Sequence, residues 1–144
     1  MSANREVQFL IVDDDEVDRE AIRRAFKTEK ILNNIFEAEN GVEAFEFLKS
    51  KNKNDLQNNP IIVLLDLNMP KMNGLEFLSK LRLDEDLKRT IVFVISTSDD
   101  DDDKIKAYDF NVAGFVKKGA INLSISKCIA MLNTYSKIIE FPPY

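Results

Sequence analysis

The segment Ile61-Ile62-Val63-Leu64-Leu65-Asp66-Leu67-Asn68-Met69-Pro70, continuing through Lys71-Met72-Asn73-Gly74, limits the possible folds more than any other part of this chain. Five consecutive apolar residues rich in β-branched side chains read as a strand buried on both faces, the environment of a central strand in a parallel sheet. The run delivers one carboxylate, Asp66, to its end, and the following Pro-x-x-x-Gly stretch must turn sharply. A lone aspartate there would also suit a simple turn cap. Three further runs change its weight: Phe9-Leu10-Ile11-Val12 ends in Asp13-Asp14, residues 91–95 end in Ser96-Thr97, and Gly114-Phe115-Val116 ends in Lys117-Lys118. An acid pair, an acid, a hydroxyl and a lysine, each at a strand's carboxyl end, describe a site for Mg²⁺ and a phosphoryl group.

Strand and helix patterns alternate along the chain. Strands are expected at 8–12, 34–38, 61–65, 91–95 and 114–117. The first helix spans about 16–27, with Val17, Ala21, Ile22, Ala25 and Phe26 on one stripe. A second follows Asn40-Gly41 with Val42, Phe45 and Leu48 inward, and a third begins near Gly74 with Leu75, Leu78 and Leu81 inward. The fourth covers 101–110, and the last runs from Ile121 to Tyr135 or Glu140 with Ile121, Ile125, Cys128, Ile129 and Leu132 facing the core. Residues 50–59, polar and ending at Pro60, read as a surface loop. Five βα units in this order predict an α/β, doubly wound, five-stranded parallel sheet with helices on both faces. Ligands of such sheets sit outside the carboxyl ends of the strands, where the polar residues above would meet.

The 144 residues suit one domain with a real core. The absence of histidine excludes His-based triads and zinc sites, and a net charge of −5 argues against a nucleic-acid partner. The single cysteine, Cys128, suits a reducing compartment. No signal peptide or membrane-length apolar run is present, so a soluble cytoplasmic protein without a membrane partner is expected.

Val12-Asp13-Asp14, Leu64-Leu65-Asp66-Leu67-Asn68-Met69-Pro70 with Gly74, Ile95-Ser96-Thr97 and Gly114-Phe115-Val116-Lys117-Lys118 together resemble the motifs of a response-regulator receiver domain, in the family's order and over essentially the whole chain. Within that family, the polar loop before Pro60, the Tyr108-Asp109-Phe110-Asn111-Val112 stretch and the Phe141-Pro142-Pro143 tail are similar to stand-alone receivers of the cyanobacterial phytochrome type. The resemblance implies a (βα)₅ flavodoxin-like fold with strand order 2-1-3-4-5. It also implies one receiver domain over 1–144, with a core at about 7–137 and a tail at 138–144.

By the same resemblance, Asp66 is the phosphoacceptor. Asp14, Asp66 and the Asn68 backbone carbonyl hold Mg²⁺ directly, and Asp13 holds it through water. Asp15 then reads as a helix N-terminal acid. Clustered carboxylates without a metal should raise one another's pKa. Ser96 donates its hydroxyl to a phosphoryl oxygen, with Thr97 as the alternative if the strand slips by one. Lys118 pairs with another phosphoryl oxygen, with Lys117 as its competitor. Strand alternation lets only one of the two lysines point into the site. Phe115 occupies the position of a switch aromatic, though a strand Phe is core by default. Two departures stand out: Gly119 follows the lysine where the family usually has proline, and Thr97 is larger than the usual Ala or Gly.

The implied function is a two-component response regulator without its own output domain. It takes a phosphoryl group from a sensor histidine kinase or phosphotransfer protein and assists its own phosphorylation and dephosphorylation, without turning over a separate substrate. It would act on a downstream protein through helix four, strand five and helix five (α4-β5-α5 in a five-helix count), the same surface that serves a homodimer. The apolar tail would fold either on its own domain or on such a partner. Asp99–Asp103 would cap helix four or steer charged partners. A haloacid-dehalogenase-type phosphatase is the rival enzyme, but it needs a second Asp where Asn68 stands. A pseudo-receiver is the rival binding module, against which the intact Asp14, Asp66, Ser96 and Lys118 set speaks.

Overall fold

The computed structural model describes residues 6–118 and 125–144. Strands β1 (Gln8–Val12), β2 (Ile35–Ala38), β3 (Ile61–Leu65), β4 (Ile91–Ser96) and β5 (Gly114–Lys117) form one sheet in the order β2-β1-β3-β4-β5. All four pairings are parallel, for example Val12 opposite Leu65 and Leu65 opposite Val94. Parallel neighbours need long crossovers, which helices supply. These are α1 (Glu16–Thr28), α2 (Gly41–Lys49), α3 (Lys53–Asn58), α4 (Gly74–Leu83), α5 (Asp101–Asp109) and α6 (Ile125–Ile138). The doubly wound, flavodoxin-like arrangement expected from the sequence is the one observed.

The period-two alternation of the strands divides their side chains between two cores. Leu10, Val12, Val63, Leu65, Val92 and Val94 pack against Ala44 and Leu48 of α2, Leu56 of α3, Phe77, Leu78 and Leu81 of α4, and Ala107 of α5. Phe9, Ile11, Ile62, Leu64, Phe93 and Ile95 pack on the other face against Ile22, Ala25 and Phe26 of α1 and Cys128, Ile129 and Leu132 of α6. β3 is buried at every residue because it has strands on both edges and helices on both faces.

Some expectations need correction. The segment read as a surface loop contains α3, whose N-terminus is tied by a reciprocal Asn52–Asp55 capping box and whose Leu56 is buried. Its apolar signal is one residue, too little for periodicity to register. Because α3 enters the count, the face called helix four, strand five and helix five is α5, β5 and α6. On α1 the buried stripe is Arg19, Ile22, Ala25 and Phe26, while Val17 and Ala21 are exposed. On α2 the inward residues are Gly41, Ala44 and Leu48, three and four apart, so Val42 turns outward. The expected start of the last helix, including Ile121, and the Lys118–Gly119 junction lie outside the described residues.

The tail folds back on its own domain. Phe141 packs on the α1–α6 core and Tyr144 on the opposite one. The Tyr144 amide donates to Gln57 Oε1 at 2.9 Å, and its phenol, its pKa raised by burial, lies beside Thr90 and Arg82. No described helix is long and apolar enough to cross a membrane.

Candidate phosphoryl and metal site

The carboxyl ends of β1, β3 and β5 bring four of the expected residues together. Single carboxylate oxygens of Asp13, Asp14 and Asp66 all lie within 4.8 Å of one another. Asp13 and Asp66 are buried and Asp14 is exposed. Three hard oxygen donors from three acids suit Mg²⁺, which takes oxygen ligands and keeps several waters. Asp15 does not join them. It is the N-cap of α1, its Oδ1 accepting from the Val17 amide at 2.9 Å, while its own amide donates to Asp13 Oδ1 at 2.9 Å. Asp66 Oδ1 faces the Asn68 amide at 3.5 Å, so the Asp66 carboxylate and the Asn68 backbone are adjacent.

Lys118 crosses to this cluster from the end of β5. Its ammonium lies 2.6 Å from Asp13 Oδ2, 2.9 Å from Asp18 Oδ2 and 3.8 Å from Asp66 Oδ2. Lys117 points the other way and pairs with Asp99. Alternation along β5 thus separates the two lysines, as expected. Burial pushes the Lys118 ammonium down, but its bonds to Asp13 and Asp18 outweigh this and hold it above the ordinary lysine range. Burial likewise raises Asp13 against the pull of Lys118. Asp66 is pushed up to about 6, chiefly by burial; Lys118 opposes the rise, and repulsion from Asp13 and Asp14 adds to it. The rise expected from clustered carboxylates is therefore present, but desolvation is its main cause.

Ser96 ends β4 fully buried, and Thr97 is exposed. Ser96 Oγ accepts from the Ser98 amide at 3.2 Å, and its O–H has no acceptor among the described residues. The Lys118 amide donates to Ser96 O at 2.7 Å, locking the ends of β4 and β5 together. Phe115 is half-buried against the core under α5. Each acid of the 99–103 run has a local partner. Asp99 pairs with Lys117, and Asp100 caps α5 through the Asp102 amide. Asp101 and Asp102 face Lys104 and Lys106 at 3.7 and 3.4 Å, and Asp103 accepts from Ser98 Oγ at 2.7 Å. Asp100 is thus the cap and Asp101–Asp103 lie in the first turn of α5, while Asp99, Asp101 and Asp102 remain largely exposed to solvent.

Two residues near the site were not anticipated. Arg19, buried on α1, donates to the Asp13 carbonyl at 2.7 Å and to Glu37 Oε1 at 3.0 Å, and pairs with Glu16. It fixes the backbone of the acidic turn from behind. Asp18, the second, shares Lys118 with Asp13.

The geometry separates the consecutive acids by task, which calorimetry with Mg²⁺ can check. Asp14→Asn removes one carboxylate of the candidate metal cluster and is expected to weaken binding roughly ten-fold or more, about 1.4 kcal/mol. Asp15→Asn keeps a good N-cap and is expected to leave metal affinity within about two-fold. Equal losses in both variants would contradict the arrangement.

The family model for the response regulator receiver domain matches residues 9–129. The response regulator Rcp1 of Synechocystis sp. is 33% identical over 109 residues, covering 76% of this chain and 74% of that protein. The structure of the phosphorylated cyanobacterial phytochrome response regulator RcpA superimposes with a TM-score of 0.79 at 29% identity, covering 95% of this chain and 99% of that one. The Mn²⁺-bound form of Rcp1 gives a TM-score of 0.77 at 28% identity over 94% of this chain and 98% of that one. With the motifs, the strand order and the acidic cluster all in agreement, this chain belongs to the response regulator receiver family of two-component signalling and is similar within it to the cyanobacterial phytochrome response regulators.

Proposed function

We propose that Asp66 accepts a phosphoryl group from the phosphohistidine of a partner kinase or phosphotransfer protein. The observation that carries this reading is the setting of Asp66, a buried strand-end carboxylate facing the Lys118 ammonium at 3.8 Å and the Asp13–Asp14 pair. Its oxygen attacks phosphorus, the P–N bond to the donor imidazole breaks, and the bonding electrons leave with that nitrogen. An acyl phosphate results; water later attacks its phosphorus, the P–O bond to Asp66 breaks, and inorganic phosphate leaves as the carboxylate is restored. Mg²⁺, held by Asp13, Asp14, Asp66 and the Asn68 carbonyl, would supply Lewis-acid stabilisation of the phosphoryl oxygens. Lys118 offers a fixed positive charge to one of these oxygens, and the Ser96 O–H offers a hydrogen bond to another.

Output is proposed to pass through α5, β5 and α6 to a downstream protein, with Ser96 and Phe115 carrying the change from the site. On this face Ile105, Tyr108 and Met131 are 58%, 51% and 43% exposed, apolar surface that a protein partner could cover. The same face would serve a homodimer, which sedimentation with and without beryllofluoride measures. Because the tail packs in cis, it supplies no separate reason for a dimer.

Incubation with acetyl phosphate and Mg²⁺ is expected to add one phosphoryl group, read by intact mass. Asp66→Asn, or chelation of the metal, is expected to remove the signal. Labelling of Asp66→Asn at the wild-type rate would disprove the assignment.

A further inference from the structure

Lys118 has two carboxylate partners before any phosphoryl group arrives. An ammonium has three N–H donors. One is directed to Asp13 at 2.6 Å and one to Asp18 at 2.9 Å, whereas Asp66 at 3.8 Å is beyond hydrogen-bond reach. Asp13 is fixed at both oxygens, with Oδ1 accepting from the Asp15 amide and Oδ2 from Lys118. Asp18 is held less tightly. Its side chain is 39% exposed on the first turn of α1, and Lys118 is its one ion-pair partner among the described residues.

We propose that Asp18 is a positioning residue of the phosphoryl site, parking Lys118 on the α1 side and competing for it with a phosphoryl group on Asp66. This inference rests on the phosphoacceptor reading above. A phosphoryl dianion on Asp66 needs a charge-assisted donor at roughly 2.7–2.9 Å. For Lys118 to provide it, the ammonium must shift toward Asp66, which stretches its contact with the more yielding partner, Asp18. The Asp18 charge also repels the incoming dianion. Both effects oppose the phosphorylated state, so Asp18 tunes how firmly a phosphoryl group is held without touching it.

Beryllofluoride, a non-covalent stand-in for the phosphoryl group, tests this on the full chain at saturating Mg²⁺. Asp18→Asn keeps the shape and removes the charge. It is expected to tighten beryllofluoride binding about five-fold, the size of one partly exposed ion pair. The gain is expected to shrink at high salt, where such a charge is screened. Asp18→Glu, which keeps the charge, is expected to stay within about two-fold of wild type, and Mg²⁺ affinity without fluoride is expected to change by less than about two-fold in both variants. Unchanged or weaker beryllofluoride binding in Asp18→Asn would overturn the proposal, as would an equal gain in Asp18→Glu, which would point to repacking of the helix turn. Failure of wild type itself to bind beryllofluoride would instead overturn the phosphoacceptor reading.

Discussion

Replacing Arg82 by alanine is expected to cost about 2–4 kcal/mol of folding stability, measured by urea denaturation. This side chain, near the end of α4, closes the pole of the sheet opposite the phosphoryl site. Its Nε donates to the Phe110 carbonyl at 2.6 Å, Nη1 to the carbonyls of Lys88 and Thr90 at 2.8 Å each, and Nη2 to the Asn111 carbonyl at 3.2 Å. One guanidinium thus joins α4, the loop before β4 and the turn before β5. Burial lowers its pKa, yet arginine stays charged at neutral pH. In the alanine variant several carbonyls lose their donor together, and each one shielded from water costs about 1–3 kcal/mol. Partial access of water keeps the total below the sum. Lysine has no planar fork and is expected to recover less than half of the loss. Metal binding by the folded fraction is expected to be unchanged, because the acidic cluster lies at the other end of the strands. A loss below about 1 kcal/mol would show that water replaces the guanidinium at all four carbonyls.

Gly74→Ala is expected to disturb stability and site together. A Cβ at Gly74 would fall 2.6 Å from Leu67 Cα and 2.7 Å from the Asp66 carbonyl oxygen. Both obstacles are backbone, so no rotamer change can relieve the contact. Alanine favours a helix by up to about 1 kcal/mol over glycine. Overpacking of this kind costs about 1–3 kcal/mol, occasionally more, and is expected to win. Relief requires α4 to move away from the segment that carries Asp66 and Asn68, or that segment to shift, and the Gly74 amide bond to Leu67 O at 3.0 Å resists separation. Weaker Mg²⁺ binding and slower labelling by acetyl phosphate are therefore expected at temperatures where the variant is folded. By contrast, a Cβ at Gly114 would meet only ring atoms of Phe93 at 3.2–3.3 Å, and Gly114→Ala is expected to be milder. Wild-type labelling by a folded Gly74→Ala protein would refute the coupling of this glycine to Asp66.

Much of this architecture was legible in the chain itself. The expected bounds of β1, β3 and β5 are the ones observed, and β3, covered on both faces, is apolar throughout. The runs brought Asp66, Ser96 and the Lys117–Lys118 pair to the sheet's edge, and the resemblance to receiver domains chose Ser96 over Thr97 and Lys118 over Lys117. The separation of Lys117 from Lys118 followed from the two-residue repeat. The sequence reading missed α3, which a capping box and one buried leucine hold against the core. It also placed Val17, Ala21 and Val42 inward, where an apolar residue suited the pattern but the helix faced another way. Arg82, Arg19 and Asp18 carried no local signal, because a charged residue on a helix is solvated unless something distant meets it. The acceptors of Arg82 include residues 28 and 29 positions along the chain, and Asp18 meets a lysine 100 positions away. Local patterning by itself determined where the apolar strands lie. Sheet order and helix placement decided which charges meet, because ion pairing acts only over a few ångströms and those distances exist only once the strands lie side by side.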